Sequence, residues 1–280
     1  MRLCTALVAL ALLVAPPAIA GETAAARAEI APAAVSADVM RSMGLDQLFT
    51  QFGRSIAQGP RQQGITDEHF LAAWEPVTRD LFARDELNAR LVRMLERGLE
   101  AAELARVRDF LNSPFGSRVT RLEQQAQAIG SEQQIAAIAR GQVLYLQADA
   151  GRRALLEQLL ELSGAELAFA VLGESLRGLA VGMHLVAHGD LDVPWEEIDA
   201  LVEARLVGMR QSLAEASRGA LALTYAELSD DELADYVAFL AAPATRKFYA
   251  VASVTVTALI REAMFALGED VAARLQRVAV

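Results

Sequence analysis

Two of the three histidines, His184 and His188, lie four residues apart in "MHLVAHGDLD". On a helix that spacing puts both imidazoles on one face. Asp190 or Asp192, just beyond, could add a carboxylate. Two imidazoles and a carboxylate are a donor set for zinc with an open fourth position, the arrangement of a metal-dependent hydrolase. As a motif the pattern is incomplete: position 185 is Leu, where a metalloprotease helix carries its general-base Glu. The same residues also read as a helix end. A histidine near a helix C-terminus meets the negative end of the dipole, and Gly189 can close the helix. Protonated imidazole does not bind metal, so this second reading, the one adopted, expects no metal and no cofactor. The hydrolase using His184, His188 and Asp190 or Asp192 stands as the alternative.

Other chemistry finds less support. Cys4 is the only cysteine and lies ahead of the first apolar run, so a Cys–His site is excluded. There is no G-x-S-x-G nucleophile elbow, P-loop or dinucleotide fingerprint. Glu196/Glu197 and Asp230/Asp231 read as solvated helix starts. Glu75, beside Trp74, could be an acid of raised pKa but reads as an exposed helix residue. No catalytic residue is assigned.

The elements that would position any site are helices. Leu, Ala, Glu and Arg dominate, aromatic residues make up 6%, and no alternating strand pattern occurs. Thr66 ahead of "DEHFLAAWEPV", Pro194 ahead of "WEEIDALVEARLVGM", and the capping box Ser229–Glu232 mark helix starts. Pro76 should kink its helix or end it early. "QGPRQQG" (Gln58–Gly64) and "AHGDLDVP" (Ala187–Pro194) read as loops.

One device occurs twice. In "AAELARVRDFLNSPFGSRV" and "DDELADYVAFLAAPATRKF", Glu103 falls on Glu232, Leu104 on Leu233, Phe110 on Phe239, Leu111 on Leu240 and Pro114 on Pro243, each 129 positions apart. In the first copy Leu104, Val107, Phe110 and Leu111 share a helix face. The residue before a proline is pushed out of the α region. Ser113 then caps a second helix and Pro114 takes its first turn. The product is a helix–corner–helix. Phe110 is expected in the core, and Gly116 would let a neighbour pack close. Upstream, "SMGLDQLF" resembles "LSGAELAF". The chain therefore reads as all-α, with two tandem, similar helical-bundle units, at 36–150 and 151–280.

An acidic-Leu helix followed by aromatic-Leu-x-Ser-Pro-x-Gly, with an "LSGAE" segment, resembles the bacterial periplasmic helical domains known as domain of unknown function 2059. The resemblance covers roughly residues 36–125 and 152–260. The second copy departs from the pattern, with Ala241-Ala242 in place of Asn112-Ser113 and Thr245 in place of Gly116. The resemblance implies a secreted all-helical fold; it carries over no activity and no catalytic residue.

The N-terminus fits that expectation. Arg2, the apolar run "LCTALVALALLVA" and Ala18-Ile19-Ala20 form a signal peptide over 1–20, with cleavage after Ala20 into a Gram-negative periplasm. Residues 21–35, Ala-rich with Pro32, read as a flexible N-terminus. The formal charge is −10, and Lys247 is the only lysine. Such a chain is repelled by nucleic acid and anionic lipid. Leu167–Ala187, with Glu174 and Arg177 mid-run, reads as a buried central helix, so no membrane span is expected after the signal. Hydrophobic residues reach 54%, above the usual share. That surplus points to a large shared core, an apolar groove or a homodimer face. The expected function is a non-catalytic envelope protein that binds a protein partner or an apolar ligand.

Overall fold

The computed structural model describes residues 36–278, apart from 37, 42–44, 63, 84, 130, 163–164 and 189–193. Among the described residues there are eleven helices and no strand, so the chain is all-α. In chain order they are α1 (Leu45–Gln62), α2 (Glu68–Phe82), α3 (Asp85–Gly98), α4 (Ala101–Leu111), α5 (Pro114–Gln127) and α6 (Ser131–Gln147). There follow α7 (Ala150–Leu162), α8 (Ala165–His188), α9 (Trp195–Thr224), α10 (Asp230–Ala241) and α11 (Pro243–Val278).

Local rules set most boundaries. The Asp67 carboxylate, one residue after Thr66, caps α2 by accepting from the His69 and Phe70 N–H groups at 2.9 and 3.1 Å. Pro194 is the N-cap of α9, whose first helical residue is Trp195. One expected loop is absent, and one helix runs on past the proline expected to kink it or end it early. The helix α1 runs through Gln58–Gln62, where a loop was expected, and the turn follows at Gly64, whose φ is +85°. Pro60 should leave the carbonyl four residues earlier without a partner. That carbonyl is Ile56's, and the Trp74 indole N–H donates to it at 3.0 Å. A tertiary hydrogen bond thus replaces the lost helical one. Likewise α2 continues past Pro76 to Phe82, because the carbonyl it strands belongs to Ala72 on the exposed side of the helix.

Two large cores result. The first joins α1–α4 to α11: Phe49, Phe52, Trp74, Phe82, Leu91, Leu95 and Leu104 close against Phe248, Val256, Ile260 and Leu267. The second joins Val119 and Leu122 of α5 to α7, the end of α9, and Leu233, Tyr236, Val237 and Leu240 of α10. Each core draws residues from both sides of position 150. The helix α8 is buried through Val171, Leu172 and Val181. Its mid-run Glu174 accepts from Arg177 and Arg261 at 3.0 and 2.8 Å. The stretch Pro243–Leu275 of α11 is long and apolar enough to cross a bilayer. One side of it, through Phe248, Val256, Ile260 and Leu267, packs in the first core, while Val254 is 73% exposed.

Candidate functional site: the paired corners and the acid beneath them

The helix α4 ends at Leu111, and Ser113 turns the chain into α5. The Ser113 hydroxyl accepts from the Gly116 N–H at 3.0 Å and donates to the Phe110 carbonyl at 2.7 Å. Pro114 opens α5. A Cβ on Gly116 would stand 2.0 Å from that same Phe110 carbonyl oxygen, so the close neighbour is the chain's own preceding turn.

The second corner repeats the backbone with fewer parts. Ala242 is extended, with ψ 140°, and Pro243 opens α11 with no side-chain cap. The Ser113 and Ala242 N–H groups both donate to a phenylalanine carbonyl, of Phe110 and Phe239, at 2.9 and 3.2 Å. The Ser117 and Arg246 N–H groups donate back to Ser113 and Ala242, each at 2.9 Å. The helices leading in also start alike. Glu103 accepts from the Glu100 N–H at 2.8 Å, and Glu232 accepts from the Ser229 N–H at 2.9 Å.

The corners meet. The rings of Phe110 and Phe239 stack with centroids 3.6 Å apart and planes 7° from parallel. Phe115 stands edge-on to Phe110, and Tyr236 lies 6.2 Å from it. Both stacked phenylalanines are half-buried, so Phe110 is a seam residue rather than the core residue its helix face suggests. Two ion pairs flank the seam: Lys247 Nζ to Glu103 at 2.7 Å, and Arg118 to Glu232. Leu111 packs on the first core and Leu240 is buried in the second.

Beneath the seam lies a buried acid. Glu123, on α5, is 7% exposed and accepts at Oε1 from the hydroxyls of Tyr225 (2.7 Å) and Tyr236 (2.8 Å). Burial pushes its carboxyl up to about 7, against the pull of the two hydroxyl bonds. Burial, then the charge of Glu123, holds both tyrosines well above the usual phenol range. Tyr249 is raised for the same two reasons. Arg152 fixes the strand of chain beside them by donating to the carbonyls of Tyr225 and Leu228 at 2.8 and 3.0 Å. The group can hold or release a proton inside the core. Sequence reasoning passed over Glu123 as one of many helix acids. Its signal was position, since it follows Val119 by four and sits beside Leu122, on the buried side of α5. The other signal was scarcity: three of the four tyrosines converge there.

No family model, curated protein or solved structure matches the chain.

Of the remaining sequence candidates, only some lie among the described residues. His184 is half-buried on α8 with contacts of its own. His188 ends that helix, with its side chain outside the described residues; Asp190 and Asp192 lie outside them altogether. No group of three His, Cys, Asp or Glu able to hold a metal occurs among the described residues. Glu75 is paired with Arg61. Glu196, Glu197, Asp230 and Asp231 sit exposed in the first turns of α9 and α10.

Large apolar side chains are exposed at several places, Val207 on α9 and Val254 on α11 among them. Ile135, Val143 and Leu146 on α6 are 63%, 51% and 70% exposed, and Leu201 on α9 is 69% exposed. Within α6 only Glu132 and Arg140 carry charge. That helix lies on α9 so closely that a Cβ on Gly141 would stand 1.8 Å from the Gly219 carbonyl oxygen.

Proposed function

We propose that this protein is a non-catalytic helical binding protein of the bacterial envelope, exported by a signal peptide cleaved after Ala20 and akin to the domain of unknown function 2059 proteins. It takes hold of a protein partner through the outer face of α6. The observation that carries this reading is the row Ile135, Val143 and Leu146, left exposed on a nearly uncharged helix of a strongly acidic chain. Burying one such side chain contributes roughly 1.5–3 kcal/mol. Three together can offset much of the cost of association. A helix face with Ala136 and Ala139 between its larger side chains suits helix-on-helix packing. The acidic exterior disfavours an anionic lipid surface.

A photo-cross-linking residue at position 143, in the chain expressed in its own cell, tests this. A protein adduct is expected there, lost in the Leu146→Asp variant. The same probe at Asp231, on the acidic face of α10, should give none. Equal labelling from both positions, or an adduct at 143 that survives Leu146→Asp, would overturn the reading.

A further inference from the structure

We propose that the two corners are copies of one self-complementary surface, joined face to face about a two-fold axis through the Phe110–Phe239 stack. The partner each corner fits is another corner of its own kind, and this chain supplies both in one polypeptide. The inference is independent of the face on α6.

Its support is the pattern of contacts. In a two-fold contact, if residue i meets residue j, the equivalent of i meets the equivalent of j from the other side. Glu103 pairs with Lys247. The residue 129 positions after Glu103 is Glu232, and the residue 129 positions before Lys247 is Arg118. Those two pair as well. A residue on the axis must meet its own equivalent, and Phe110 lies nearly parallel on Phe239, again 129 positions on. Two unlike turns packed by chance would not give an exchanged pair on each flank and a self-pair between them. The backbone hydrogen bonds of the corners and the capping boxes that precede them also correspond one to one.

The charges explain why the surface selects itself. Each corner offers an acid at the start of its first helix and a base in the first turns of its second. Rotated by a half-turn, two such faces put acid on base twice. Set side by side without rotation, they would put acid on acid, so the surface favours the rotated mate and repels the other arrangement. Where the copies differ, at Asn112/Ala241, Ser113/Ala242 and Gly116/Thr245, the residues shape the turn itself. At the two ion pairs and the central stack both copies keep acid, phenylalanine and base, while Phe115 and Tyr236, which also meet the Phe110 ring, have Ala244 and Val107 as their equivalents.

Cysteine pairs in the full-length Cys4→Ser chain test this. Two crosswise variants, Glu103→Cys/Lys247→Cys and Arg118→Cys/Glu232→Cys, are treated in dilute solution with a short bifunctional thiol cross-linker. Two same-position variants, Glu103→Cys/Glu232→Cys and Arg118→Cys/Lys247→Cys, are treated alike. All four positions lie at the rim of the seam, where losing an ion pair costs little, and circular dichroism checks that the fold is kept. Both crosswise pairs should close into a faster-migrating monomer, and both same-position pairs should stay open. Closure of one crosswise pair without the other, or of a same-position pair as readily as the crosswise ones, would overturn the two-fold arrangement.

Discussion

The two corners solve one problem at different levels of finish. The first has a serine that caps α5 and ties back to Phe110, and a glycine that lets the new helix lie against the old one. The second has Ala242 and the buried Thr245 at the same places and caps nothing. The arms differ too. The first corner leads into a helix of 14 residues that buries Glu123; the second leads into one of 36 residues that buries Ala252 at the matching position. The long arm α11 is held by the first core from Phe248 to Val271 and packs along α8, so its corner needs no cap. The short arm α5 has less to hold it, and its corner carries the local bonds.

Glu123 gives the largest expected contrast between the arms. Its carboxyl ionises near pH 7 in the folded chain and near 4.5 when unfolded. The stability that protonation favours is therefore full below about pH 4.5 and lost as pH rises through 7. That amounts to roughly 3 kcal/mol between the two ends of the window. Thermal melts should fall from pH 5 to pH 8.5 in the native chain and stay nearly level over this range in Glu123→Gln. Ala252→Ser, on the other arm, should leave the slope unchanged. A slope that survives Glu123→Gln would place the titrating group elsewhere.

Gly116→Ala should come next. Its new methyl meets a carbonyl oxygen rather than a flexible side chain, and overpacking of this kind costs about 1–3 kcal/mol. Thr245→Ala, which only removes atoms at the equivalent place, should cost less in the same urea titration. Equal losses would mean that the first corner opens to admit the methyl.

The smallest effect concerns the caps. Ser113→Ala should cost about 1 kcal/mol. The reverse change, Ala242→Ser, puts a hydroxyl on a residue with the same extended backbone and should raise the melting point, because the Thr245 N–H gains an acceptor. A null result at both sites would show that neither cap limits stability.

What was legible in the sequence followed from rules that act within a few residues. The helical class, the Ser113–Pro114 turn and the Ser229–Glu232 box all depend on neighbours in the chain. What was missed depends on partners far along it. Pro60 reads as a helix breaker until Trp74 takes up the Ile56 carbonyl. Phe110 reads as a core residue because its helix face is apolar, yet its counterpart 129 positions away draws it to a seam. Nothing next to Glu123 in the chain names its partners, the tyrosines just after α9 and on α10 that close over it. Spacing marks which face of a helix is buried, but not which distant group will face it.

The placement of α11 bears on when the molecule can fold. This helix comes after the other ten, yet it fills a core whose other walls are chiefly α1 to α4, with Val171 of α8. Extended over about 54 Å at 1.5 Å per residue, it also bridges to the corner that meets the first one. The early helices can collapse and pair as they emerge, as α1 and α2 do through Trp74 and Ile56, but their core is complete only when the 36 residues of α11 arrive. Folding that waits on contacts so distant along the chain is slow, and the incomplete chain shows its apolar faces throughout synthesis. Until α11 is in place the first core stays open on one side.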